Sequence, residues 1–260
     1  MMAFAHPAFA PYARWLAGLG AGAEVTLATL NGWARAAGAR LPDGRPLMLV
    51  APPPGRLPAL AYERRIAERG EVPTRECNRH DLFNALAWLA FPRVKAALNA
   101  IHVAAPAPTV RAARDRSRDA ATLIDESGLI VACSDAALMA MWRARAWRDL
   151  FWGRRMDVAA RMRVVAVGHG LLDRLVAPFR ALTGRTLVLA VEASALPCAP
   201  RALCGTLDAA AAAWILARGA AMWPGEFLPL PVAALPGWDA ENLGERLFDD
   251  AAVFRPRPAR

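Results

Sequence analysis

The chain has 260 residues and a mass of 27.9 kDa, with 32 Lys+Arg against 23 Asp+Glu, a formal charge of +9 and a pI of about 10.7. Apolar residues make up 56% and charged residues 21%; that excludes disorder over most of the chain and suits one large domain or two small ones. Lys95 is the only lysine and the arginines are scattered, dense only over 111–118 and 143–163. The basic charge therefore reads as solvated arginines with their stems over apolar surface, and nucleic acid is not the favoured partner.

The first thirty residues are apolar, but they lack a basic leader and are interrupted by Arg14 and Glu24. No window offers about 18 uncharged apolar residues, so neither a signal peptide nor a membrane span is expected. The four cysteines form no C-x-x-C pair. They read as small buried thiols in a reducing compartment, which makes the cytoplasm the expected location.

In chain order, a first short helix closes at residues 16–18, and an amphipathic helix over 25–37 is stopped by Gly38. A short strand follows at 47–50. The run APPPGRLP continues no element, because proline has no amide proton to give. Pro58 opens a helix through Arg69 that Gly70 ends. Residues 81–91 form a helix apolar on nearly every side, which places it in a core; Pro92 breaks it and starts another at 93–101. After a basic loop, ATLIDESGLIVA alternates apolar residues around a D-E-S-G turn and predicts a β-hairpin. Helix at 135–152, strand at 163–167, turn at 168–170, helix at 171–177, strand at 186–191 and helix at 207–217 complete the core. From Trp223 the prolines recur, and the tail is expected to wrap the surface.

Helices outnumber strands without regular alternation. The expected fold is α+β: a single mainly helical domain with a small, mostly antiparallel sheet and a Pro-rich C-terminal tail packed on its surface. Residues 1–57 form an N-terminal helical segment and loop, and residues 58–260 the core with its tail, together one globular unit.

Three groups of residues carry candidate chemistry. In NRHDLFNALAWLAFPRVKAALNAIH, His80 and Asn84 share a helix face with Asp81 beside them, while Lys95, Asn99 and His102 form one polar stripe on the second helix. Polar groups on buried helices cost about 1–3 kcal/mol each unless they are hydrogen-bonded. His80 reads either as a satisfied core histidine or as a base or ligand, and Asn78 or Asp81 as a helix cap. The second group is Arg118, Asp119, Asp125 and Glu126 around the expected hairpin. Asp125 and Glu126 read either as turn residues or as ligands for a divalent metal such as Mg²⁺ or Mn²⁺. The third is His169 between two glycines, where a strand ends and a helix begins. There is no G-x-G-x-x-G, Walker loop, G-x-S-x-G or H-E-x-x-H, which removes most of the case for classical dinucleotide, P-loop, α/β-hydrolase and zincin chemistry.

HDLFNALAWLAFPRVKAALNAIH, SRDAATLIDESG, VGHGLL and PLPVAALPGWDAENLGERLFDDAAVFRP together resemble the bacterial domain-of-unknown-function family 3025, over residues 60–257. The resemblance implies no established activity. It draws attention to His80, Asp81, Asn84, Lys95, Asn99, Arg118, Asp119, Asp125, Glu126, Gly168 and His169, and it brings the tail, with Trp238, into the domain. Two positions depart from the family pattern: Arg79 where an aromatic often stands, and Gly170 where alanine often stands.

The expectation is a metal-assisted hydrolase, with phosphoesters as a candidate substrate class. His80, Asp81, Asn84, Lys95, Asp119 and His169 are its catalytic candidates, Asp125 and Glu126 its metal candidates, and Asn99, Arg118 and Trp238 its ligand-binding candidates. The alternatives are a non-catalytic binding module for RNA, an acidic partner or a small ligand, and a purely structural polar network.

Overall fold

A computed structural model describes residues 4–19, 24–104, 116–239 and 244–254. A 3₁₀ turn at Pro7–Tyr12 leads into the short α1 (Ala13–Leu16), followed by α2 (Leu27–Ala37) and strand β1 (Met48–Val50). Helix α3 (Ala59–Arg69) and β2 (Glu71–Pro73) complete a small βαβ unit, with β1 and β2 pairing in parallel. Gly38 and Gly70, at φ +63° and +70°, end α2 and α3 in the left-handed conformation that glycine adopts without strain. Then come α4 (Arg79–Ala90), α5 (Pro92–Ala104), α6 (Arg116–Ser127), β3 (Gly128–Cys133), α7 (Ala136–Ala144), α8 (Arg155–Arg161), β4 (Met162–Ala166), α9 (His169–Arg174), β5 (Thr183–Ala190), α10 (Pro200–Arg218) and β6 (Leu228–Pro231).

The main sheet has the order β4-β3-β5-β6. β3 runs antiparallel to β4 and parallel to β5, and β5 antiparallel to β6. All six residues of β3, GLIVAC, are buried, as a central strand covered on both faces requires. Helices α10 and α6 pack on this sheet and α5 joins them. One apolar cluster runs from Ala8 to Leu235, drawing in Phe9, Tyr12, Phe83, Trp88, Leu129, Trp142 and Phe227. The architecture is thus the expected single, mainly helical α+β domain, with two of the three pairings in the main sheet antiparallel.

The expected hairpin is corrected to a helix followed by a strand. Ser117, Ala120, Ala121 and Ile124 are buried, at the i, i+3, i+4, i+7 spacing of one helical stripe. The β-strand starts only at Gly128. Asp125 and Glu126 accordingly belong to the last turn of α6. The expected single helix over 135–152 is interrupted at Arg145, which adopts φ +57°, and resumes as a π-helical turn at Asp149–Gly153. The tail is more integrated than expected, since β6 joins the sheet and buries Leu230. Of the basic segment 111–118, the first five residues lie outside the described structure. In the segment 143–163, Arg148 pairs with Asp249 and Glu245, Arg154 with Asp157 at 2.6 Å, and Arg161 with Asp135 at 2.8 Å. Two cysteines, Cys133 and Cys204, are buried as expected; Cys77 and Cys198 are exposed, and none is paired.

Pro92 ends α4 and leaves the first amides of α5 without intrahelical acceptors. The buried Asp208 of α10 takes them, accepting from Val94 N at 2.8 Å and Arg93 N at 3.2 Å. Burial outweighs these bonds and pushes the carboxyl from 3.8 to about 6. The folded state therefore holds a proton that the unfolded chain has released, and Asp208 weakens the fold as pH rises through the interval from 3.8 to about 6. Subtracting urea-unfolding free energies of Asp208→Asn from those of wild type should give a difference that moves against the wild type by up to about 1.4 kcal/mol per pH unit across this window. Parallel pH curves would contradict the assignment.

Candidate metal centre

The site forms where two chain corners cross and a helix N-terminus meets them. Gly128 O accepts from both Val167 N and Gly168 N, each at 3.0 Å, so the β4–α9 corner lies directly on the α6–β3 corner. A Cβ on Gly168 would stand 2.2 Å from Gly128 N and 2.6 Å from Ser127 N, and one on Gly128 would stand 2.4 Å from Ile124 O. Real Cβ atoms do not come that close to backbone, so glycine at both positions is a packing requirement. The crossing sets His169, the first residue of α9, against Asp125 and Glu126. Asn78 caps α4 by accepting from Asp81 N at 3.0 Å, which directs His80 from the first turn of α4 toward the same point.

His169 Nε2 lies 3.1 Å from His80 Nε2 and 3.4 Å from Glu126 Oε1, and His80 Nε2 lies 4.0 Å from Glu126 Oε1. Zinc bonds of about 2.0–2.1 Å in a tetrahedron put ligand atoms about 3.3–3.4 Å apart. The observed separations bracket that edge, so the three side chains could hold one ion after small adjustments. Two histidines and one glutamate could supply three of the four ligands of a zinc-class ion. Hydrogen bonding from His169, with attraction to both imidazoles, holds the Glu126 carboxyl below its ordinary value against burial, ready to ligate. Gly170 bears on this directly: a Cβ there would stand 2.2 Å from Glu126 Oε2. An alanine at this position would require the carboxylate to take another position.

Behind the three residues runs a buried polar chain. Tyr62 Oη accepts from Asn84 Nδ2 at 2.9 Å, Asn84 Oδ1 accepts from Lys95 Nζ at 2.8 Å, and Lys95 also donates to Asp125 Oδ1. Lys95 is 5% exposed and lies 5.6 Å from the Trp88 ring. Burial pushes the Asp125 carboxyl up, but Lys95 and then His169 overcome it and hold the group ionised below its ordinary value. On the other wall, Asn99 Nδ2 donates to Glu63 O at 2.9 Å and to Glu63 Oε2 at 2.6 Å. Burial raises Glu63 to about 7, although Asn99, Lys95 and His169 draw it down.

The three residues line a cavity of about 580 Å³ with Tyr62, Glu63, Asn84 and Asp125, in which Pro52, Leu57, Leu60 and Pro73 supply apolar wall and Arg118, His102 and Thr122 polar wall. Three of the chain's four histidines line it. Arg75 at its edge is tied to Asp81, which accepts from Arg75 N at 2.7 Å, Nε at 2.9 Å and Nη2 at 2.8 Å. Burial raises Asp81, yet the Arg75 bonds outweigh it and keep the carboxyl below its ordinary value.

Of the residues singled out in the sequence, His80, Asp81, Asn84, Arg118, Asp125, Glu126 and His169 line this cavity, while Lys95 and Asn99 hold its walls. Asp81 is a clamp on Arg75, and Asp125 the partner of Lys95. Asp119 is not brought to the site: it is exposed, two turns from Glu126 and so about 10 Å away along α6. Trp238 is also elsewhere. Its carbonyl accepts from His6 Nε2 at 2.9 Å and its ring packs against His6, so it fastens the tail to the N-terminal turn instead of covering the cavity. Sequence reasoning missed Tyr62 and Glu63, which look like part of the solvated charge of α3. The signal for them is indirect: Asn84 and Asn99 are amides on apolar helices, and each needs a partner on a neighbouring element.

The arrangement defines an α+β domain with a His–Glu–His cluster lining a cavity. Residues 53–258 match the family model described as a protein of unknown function, DUF3025, and the chain belongs to that family. No curated protein and no solved structure matches the chain. Among the described residues, no helix is long and apolar enough to cross a membrane.

Proposed function

We propose that this chain is a metal-dependent hydrolase of anionic esters, phosphoesters foremost, acting in the cytoplasm. The observation that carries the reading is the convergence of His80 Nε2, His169 Nε2 and Glu126 Oε1 at separations of 3.1–4.0 Å, with an open cavity beside them. A zinc-class ion there would lower the pKa of a bound water toward neutrality and offset charge on the attacked ester. Glu63, at about 7, both accepts and returns a proton near neutral pH, as a general base and acid must. With Glu63 ionised, Arg75, Arg118 and Lys95 fall one charge short of Asp81, Asp125, Glu126 and Glu63, so a divalent ion leaves the cavity net positive, which suits an anionic substrate. The unpaired cysteines fit a reducing compartment.

Untagged protein, stripped with a chelator and reloaded with Zn²⁺, Mn²⁺ or Ni²⁺, tests this against bis(p-nitrophenyl) phosphate. Hydrolysis is expected only after reloading, and Glu63→Gln should lower it by about 10²–10⁴-fold with metal content intact. Equal turnover by the stripped protein, or none by any reloaded form, contradicts the assignment.

A further inference from the structure

We propose that the buried Lys95–Asp125 pair is a positioning device for the metal centre, presenting a carboxylate to His169 Nδ1 so that Nε2 is the nitrogen that meets the ion. This rests on the metal-centre reading above. A histidine that ligates through Nε2 carries its proton on Nδ1, and that N–H needs an acceptor. His169 Nδ1 is buried and has no hydrogen-bond partner among the described residues. The carboxylate oxygen facing it is Asp125 Oδ2, at 3.7 Å. A small rotation of the ring or the carboxylate brings this to the roughly 2.8 Å of a charge-assisted bond. The His169–His80 contact makes the same demand from the other side, because both Nε2 atoms point at one place.

Asp125 is held to this task by its surroundings. Its other oxygen accepts from Lys95, Lys95 donates to Asn84, and Asn84 donates to Tyr62, a chain that ties α6 to α5, α4 and α3. A buried ion pair is a poor way to stabilise a core, since apolar residues of the same volume serve as well or better. A lysine 5% exposed, on a helix whose buried face is Val94, Ala97, Leu98 and Ile101 with Asn99, therefore calls for another reason. Setting the tautomer and the basicity of a ligating histidine supplies one. In this role Lys95 and Asp125 act on the ion only through His169.

The experiment measures Zn²⁺ affinity by competition with a chromogenic chelator for wild type, Asp125→Asn and His80→Ala, with ¹⁵N-detected imidazole spectra of the zinc-loaded proteins. Wild type should show His169 as the Nδ1–H tautomer with a slowly exchanging, strongly downfield proton. Asp125→Asn should bind zinc about 10–100-fold more weakly and lose that proton signal, while His80→Ala loses affinity through direct ligand removal and serves as the reference. If Asp125→Asn shows no cooperative unfolding transition, Lys95→Met/Asp125→Asn, which removes both charges together, is read in its place. Unchanged affinity with an unchanged proton signal overturns the positioning role and leaves the metal centre standing. A wild type that takes up no zinc overturns the centre itself, and the positioning role with it.

Discussion

Alanine at His80, Glu126 or His169 is expected to lower zinc affinity by two to three orders of magnitude each. Four-ligand structural zinc sites bind with about 10–16 kcal/mol, or roughly 2.5–4 kcal/mol per ligand, and each 1.4 kcal/mol is about tenfold. The three variants separate ligation from folding because they differ in burial. The His80 and Glu126 side chains are 39% and 45% exposed, so their removal should leave the melting temperature in chelator near that of wild type. His169 is 5% exposed, and its removal also leaves a void beneath α9. In wild type, zinc at a thousand times its dissociation constant should add about 4 kcal/mol of stability. In the His80 and Glu126 variants the same zinc concentration should add only about 0.4–1.4 kcal/mol. Calorimetry with and without zinc checks this, and an equal zinc-induced shift in all three variants would contradict the ligand set.

Lys95→Met is expected to destabilise the fold by about 3–5 kcal/mol, because it leaves Asp125 ionised in the interior without its partner. For a domain of this size that lowers the melting temperature by roughly 6–20 °C. Asn84 would lose the donor to its Oδ1 at the same time. Lys95→Met/Asp125→Asn should recover most of the loss, since neither charge then needs compensation. A single variant that melts with the wild type would show that Asp125 is stabilised by something other than Lys95.

The fold was legible where a local signal was strong. Pro92 between two apolar runs separates α4 from α5, and glycines 38 and 70 mark helix ends because only a residue without Cβ sits easily at those positive φ values. The error at 116–133 arose because ATLIDESGLIVA satisfies two patterns. Its alternation suggests a hairpin, but Ser117, Ala120, Ala121 and Ile124 also form a helical stripe, and packing on α5 and β5 favours the helix. β2 escaped notice because a three-residue strand ending in proline carries almost no pattern.

The site was legible residue by residue and not as an assembly. His80 and Lys95 stand out as polar groups on apolar helices, and Glu126 and His169 as polar groups at expected turns, yet the four come from four helices. What joins them is the backbone crossing at Gly128 and Gly168, a tertiary contact with no local signature. An expected hairpin sets Asp119 near Asp125; on a helix the same residue turns to solvent. Glu63 was passed over because its perturbation comes from burial under α5, and a lone sequence shows only an ordinary acidic residue on an amphipathic helix.

The most direct test is anomalous diffraction at the zinc edge from crystals of untagged protein grown with stoichiometric zinc. One peak within about 2.0–2.2 Å of His80 Nε2, His169 Nε2 and a Glu126 carboxylate oxygen is the predicted result. A peak at other residues, or none between these three, would contradict the metal centre on which the account rests.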